Sequence, residues 1–95
     1  MAAYIIADVT VTNPDQMAKY REWSTRAIQE SGAEVLVRGG RVVSLEEGWA
    51  PDRVVVLKFK DLAAAQAYYD SETYTHARQV REGAGSIRML AVEGI

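Results

Sequence analysis

The sequence has no cysteine and only one histidine in 95 residues. The missing cysteine removes disulfides, thiolate nucleophiles and every sulfur-ligated metal site. The lone histidine leaves no pair from which a zinc site of ordinary ligand count could be assembled. No apolar stretch approaches the roughly 20 residues of a membrane span. Met1–Ala3 leads straight into strand-like sequence without a signal-peptide pattern. These two absences predict a cytoplasmic protein with no membrane partner. There is no basic run, and the formal net charge is −2, so electrostatics gives no case for nucleic acid. Repeats, low-complexity tracts and a domain linker are missing as well.

What is present is an ordinary apolar share, 48%. The length suits a single domain over residues 1–95. Area scaling predicts a folded surface of roughly 5,400 Å² and burial of about 64% of the extended chain, one modest core.

Tyr4–Val11 is apolar and β-branched and predicts a strand. Asn13-Pro14-Asp15-Gln16 is a helix start: Asn13 caps, Pro14 suits the first helical position, and Gln16 completes a capping-box variant. Met17, Tyr20, Trp23 or Ser24, Ala27 and Ile28 recur at helical spacing up to a stop at Gly32, so the helix runs from Pro14 to Ser31. Ala33–Arg38 is a second strand, interrupted by Gly39-Gly40, and Arg41–Glu47 resumes extended structure. After a turn at Gly48–Asp52, Arg53–Lys60 carries the solid block Val54-Val55-Val56-Leu57. Asp61 caps an alanine-rich helix, Leu62–Tyr69, and Ser71-Glu72 reopens a helix to about Glu82. Ser86–Val92 is the last strand.

The order β-α-β-(β)-β-α-α-β predicts an α+β ferredoxin-like plait, an antiparallel sheet with helices on one face. A sheet with one wet face should alternate apolar with polar. Here Tyr4–Ala7, Val54–Leu57 and Met89–Val92 are apolar on both parities. The helices cover only one face, so the economical cover for the other is a second copy, packed sheet to sheet across a two-fold axis.

Four segments together resemble one family: Val37-Arg38-Gly39-Gly40, Leu45-Glu46-Glu47-Gly48-Trp49-x-Pro51-x-Arg53, Tyr68-Tyr69-Asp70-Ser71-x-x-Tyr74, and Val92-Glu93-Gly94. The chain is similar over nearly its whole length to the bacterial "domain of unknown function 1330" family, in the dimeric α+β barrel superfamily. The resemblance implies a homodimer of ferredoxin-like chains and no established activity. The wider superfamily includes cofactor-free monooxygenases, haem-degrading enzymes and muconolactone-isomerase-like proteins, an analogy of fold alone. The haem-degrading relatives use a helical histidine. No further motif around His76 matches theirs, so that role is not carried over and no cofactor is expected.

Candidate chemistry falls to few residues. Arg38 and Arg53 flank turns, where guanidinium forks suit a carboxylate, so a small organic anion is the natural ligand. Against this stand ion pairs of Arg38, Arg41 and Arg53 with Glu46, Glu47 or Asp52. Tyr20, Tyr68, Tyr69 and Tyr74 could orient a polar ligand or pack as core aromatics. Trp49 reads as interface, Trp23 as core, and Ser71 as a helix cap rather than a nucleophile. Asp8 interrupts an apolar strand, with Arg88 as its expected partner, and is a weak candidate base beside His76. The ligand-binding set is Tyr20, Arg38, Trp49, Arg53, Ser71, Tyr74 and Arg81; a cavity of a few hundred Å³ between helices and sheet would support binding, and a fully packed layer would weaken it. The alternatives are a cofactor-independent monooxygenase- or isomerase-like enzyme, in which Asp8 or His76 abstracts a proton, and a structural or interaction domain without ligand.

Overall fold

Strand parity sets the architecture. In the computed structural model, which describes residues 1–95, β1 (Ala3–Val11) buries Ala3, Ile5, Ala7 and Val9 and leaves Ile6 and Thr10 exposed. The chain continues through α1 (Pro14–Ser31), β2 (Glu34–Arg38), β3 (Arg53–Phe59), α2 (Leu62–Asp70), α3 (Glu72–Val80) and β4 (Gly85–Glu93). The strands pair antiparallel in the order β2-β3-β1-β4. With three helices on one face this is the ferredoxin-like arrangement. The Arg41–Glu47 strand does not form: the segment has no ladder partner and belongs to the loop between β2 and β3. Strand composition alone cannot supply a neighbour for its N–H and C=O groups.

The helix ends are fixed by their caps. Asn13 accepts from the Gln16 N–H at 3.2 Å, Pro14 opens α1, and Gly32 ends it at φ +73°. The reciprocal half of the capping box is absent. The Gln16 side chain donates instead to the carbonyls of Val80 (2.9 Å) and Glu82 (2.5 Å). Those acceptors lie at the end of α3, where carbonyls lack helical partners, so Gln16 ties the two helices together. Ser71 caps α3 and accepts from the Tyr74 N–H.

The inner stripe of α1 (Met17, Tyr20, Ser24, Ala27 and Ile28) is buried against the sheet. Tyr74 and Leu57 are among the largest fully buried side chains. Trp23 is only partly buried. It packs edge-on against His76 at 4.2 Å between centroids, with Arg26 over its ring. The other sheet face is uncovered, and Ile6, Val37, Leu90 and Val92 are 38–55% exposed on it.

One irregularity positions the site. β2 pairs regularly up to Val35, opposite Leu57, and then shifts by one residue, so that Val37 stands opposite Val56 and Arg38 opposite Val55. Leu36 is the extra residue of a β-bulge. Without it, strict alternation would place Arg38 opposite Val54, on the uncovered face. The bulge turns Arg38 to the helix side.

Candidate functional site

Three arginines converge where the start of β3, the end of β2 and the middle of α1 meet. Arg53 is the first residue of β3 and stands opposite Val9 on the helix-facing side. Arg38 reaches the same side through the bulge and donates to the Thr25 hydroxyl on α1. Arg21 lies one turn before Thr25 and lines the same cavity. Gly39 makes the close approach possible. It adopts φ +73°, its N–H donates to the Val54 carbonyl at 3.0 Å, and the Arg53 guanidinium lies against its bare Cα. A Cβ there would stand 2.5 Å from Arg53 Nη1.

Beneath the arginines is a narrow cavity of about 40 Å³ between α1 and the sheet. Its walls include Val9, Met17, Ile28, Val55, Leu57 and Met89, with Tyr20, Ser24 and Tyr68 as neutral polar groups. The cavity is far smaller than the few hundred Å³ of an ordinary ligand pocket. At roughly 10–15 Å³ per water-sized occupant, there is room for about three. The arrangement suits a charged head outside and a short apolar tail inside.

The charge of the cluster is unbalanced. The single salt bridge of the chain joins Arg88 to Asp8 at 2.5 Å, elsewhere. Glu46 and Glu47 form no ion pair with Arg38, Arg41 or Arg53, and Asp52 accepts from the Val11 N–H instead. Burial, and then the neighbouring charges of Arg21 and Arg38, pull Arg53 below the usual arginine range. Glu22 borders the three arginines but forms no ion pair with them, so the cluster keeps an excess of positive charge that favours an incoming anion.

Tyr20 connects this cavity to a second layer. Its hydroxyl shares a 2.6 Å hydrogen bond with that of Tyr74, which also accepts from Arg81 at 3.3 Å. Burial raises the pKa of Tyr74, and burial likewise raises that of Tyr68, so both phenols are neutral donors. Tyr74 and Arg81 therefore stand behind Tyr20 and do not line the cavity. Arg81 instead lines a wider groove of about 390 Å³ beside β4. There Asp70 accompanies Arg81, so the groove lacks the charge imbalance of the arginine cluster.

The remaining candidates lie elsewhere. Ser71 serves as a cap and borders only a shallow surface depression between α1 and α2. Trp49 is 63% exposed, and its indole N–H donates to Asp8 at 3.1 Å. Asp8 is on the uncovered sheet face, opposite Arg88. The hydrogen bonds from Arg88 and then from Trp49 hold its carboxyl below the usual range, which suits a paired carboxylate and not a base. His76 is exposed on α3. Neither candidate base lines the cavity: strand parity turns Asp8 away, and His76 packs on Trp23 where α1 meets α3. No group of three His, Cys, Asp or Glu side chains is placed to hold a metal ion.

Arg21 was not among the residues expected from sequence. It follows Tyr20 at the margin of the α1 stripe, so its spacing reads as solvent-facing. Its position one turn before Thr25 was the available signal.

A family model described as "Domain of unknown function (DUF1330)" matches residues 2–95. Solved structures share the fold at low identity. A protein of unknown function from Rhodopseudomonas palustris aligns with TM-score 0.71 and 17% identity, over 99% of this chain and 82% of its own. A dimeric ferredoxin-like protein of unknown function from Jannaschia sp. CCS1 aligns with TM-score 0.70 and 14% identity, over 99% and 100%. A cofactor-independent oxygenase from Streptomyces nogalater aligns with TM-score 0.67 and 7% identity, over 99% and 93%. At these identities the similarity is one of fold alone. A comparison with curated proteins finds no match. No helix is long and apolar enough to cross a membrane.

Proposed function

Because the chain belongs to the DUF1330 family, whose description carries no activity, function must be argued from the site, and we propose that this protein binds a small organic anion. The head lies among Arg21, Arg38 and Arg53, and a short apolar tail enters the cleft between α1 and the sheet. The observation that carries this reading is the cluster of three guanidinium groups with no carboxylate partner above an apolar cavity. Catalysis by Asp8 or His76 is not part of it, since neither residue reaches the cavity.

A thermal-shift screen with short-chain carboxylates, and inorganic phosphate as a head-only control, tests the proposal. Ligand at a hundred times its Kd stabilises by about 2.7 kcal/mol, a rise of more than about 10 °C at this size. The response should vanish in Arg38→Ala. No response to any carboxylate, or an undiminished one in Arg38→Ala, would count against it.

The same reading takes the protein to work in the cytoplasm as a homodimer joined through the uncovered sheet face. The exposed surface is 6191 Å², about 800 Å² above the scaling expectation for a monomer of this mass. That excess equals what one partner buries in an interface of standard size. Fold neighbours described as dimeric support it. Light scattering at micromolar concentration should give a dimer, and a monomer there would sink the reading.

A further inference from the structure

The connection from Gly39 to Asp52 is several times longer than the roughly 2–5 residues of a typical hairpin loop. It is tied down at three points. The Gly39 N–H donates to the Val54 carbonyl at 3.0 Å, the Trp49 indole to Asp8 at 3.1 Å, and the Val11 N–H to the Asp52 carboxylate at 2.9 Å. Between the ties, Arg41–Glu47 has strand composition and no strand partner. Glu47 and Gly48 reverse the chain at φ +61° and +65°. Val42 is partly buried, whereas Val43 is 67% exposed and Leu45 91% exposed. Val43 and Leu45 thus present two exposed apolar side chains on the same loop. Asp8 belongs to the uncovered sheet face, so its bond to Trp49 places the returning limb of the loop at that face.

We infer that Arg41–Glu47 is an intersubunit arm that packs against a second copy of this chain, an inference that rests on the sheet-to-sheet dimer proposed above. Two observations select that occupant. The first is area. Four strands about 4.8 Å apart and seven residues long at about 3.3 Å each present roughly 440 Å² in projection. A face of this size leaves a flanking segment room to contribute to the roughly 800 Å² of accessible surface that each partner of a standard interface buries. The second is continuity. Trp49 ties the loop to Asp8 on the sheet face that also carries Ile6, Leu90 and Val92, so the exposed Val43 and Leu45 belong to a loop anchored on that same face. Unsupported, an apolar arm of this kind is an aggregation hazard; across a two-fold axis both arms are covered at once.

The absence of native cysteine makes the test direct. Leu45→Cys carries a single environment-sensitive fluorophore, acrylodan, in the wild-type background and in Leu90→Arg, with sedimentation run in parallel. The expected result is blue-shifted emission in the dimer and red-shifted emission in the Leu90→Arg monomer. A dimer whose label emits as in the monomer would overturn the arm and leave the dimer standing. A wild-type chain that sediments as a monomer would overturn both. An unlabelled variant, Val43→Ser with Leu45→Ser, should weaken dimerisation tenfold or more while keeping the thermal response to carboxylate; an unchanged dimer dissociation constant would contradict the arm.

Discussion

Arg38 stands across the ladder from Val55, not from Val54, and this one-residue offset carries its guanidinium to the helix side of the sheet. The offset comes from the bulge at Leu36. Deleting Leu36 should restore regular pairing in the observed register, with Val37 opposite Val56 and Arg38 still opposite Val55. The expected outcome is a folded chain by circular dichroism that keeps its thermal response to short carboxylates, unlike Arg38→Ala. A folded deletion variant that loses the response would show that the register opposite Val55 does not by itself aim Arg38.

Gly39 serves the neighbouring arginine. A methyl group at this position would both strain a left-handed residue and displace Arg53. The conformational part costs about 1–2 kcal/mol. Gly39→Ala should therefore lower the denaturation midpoint modestly and weaken anion binding more than Gly40→Ala, where no atom lies within 4 Å of the added Cβ. Titration calorimetry on the two variants makes the comparison; equal affinities would remove Gly39 from the site.

The size of the cavity predicts a chain-length optimum. With room for about three water-sized occupants, affinity should rise from acetate to about butyrate, by roughly 0.8 kcal/mol for each methylene that is buried. Beyond that length the gain should stop, because a longer tail must push Met17 or Met89 aside. A monotonic rise through octanoate, measured by calorimetry, would mean that the tail lies outside the cleft.

The buried tyrosines predict the alkaline limb of stability. Burial raises the pKa of Tyr68 and Tyr74 above the usual value near 10. Native phenols thus stay protonated where unfolded ones ionise. Their contribution is fully present below pH about 10 and is lost as pH rises above it, by up to about 1.4 kcal/mol per pH unit for each group. Tyr74→Phe leaves the Tyr20 hydroxyl without its partner and should cost about 1–3 kcal/mol at neutral pH. It should also flatten the decline above pH about 10. Urea denaturation across that range checks both effects; an unchanged slope would contradict the assignment.

Much of the fold was legible because local chemistry and tertiary context agree. Asn13, Pro14 and Gly32 bound α1 as their capping preferences require. Apolar residues on both parities of β1, β3 and β4 announced a sheet with two buried demands. The pairing of Asp8 with Arg88 followed from the adjacency of β1 and β4. The rest depends on partners that sequence does not display. The bulge at Leu36 contains no glycine, and only the register against β3 reveals it. Arg41–Glu47 has the composition of a strand and lacks a neighbour within its own chain. Gln16 had two possible acceptor sets, and the free carbonyls at the end of α3 won. Of the residues named from sequence, Arg38, Arg53 and Tyr20 line the proposed cavity. Arg21 was missed because one helical step separates the margin of the buried stripe from solvent.

The most direct test of the anion site observes the arginines themselves. Side-chain Nε–Hε resonances, recorded by NMR during titration with butyrate at low ionic strength, should shift for Arg21, Arg38 and Arg53 with one common dissociation constant. Those of Arg26 and Arg88, outside the cavity lining, should stay in place. Saturable shifts at all three cavity arginines are the predicted result; shifts confined to Arg26 or Arg88, or none at any arginine, would contradict the site.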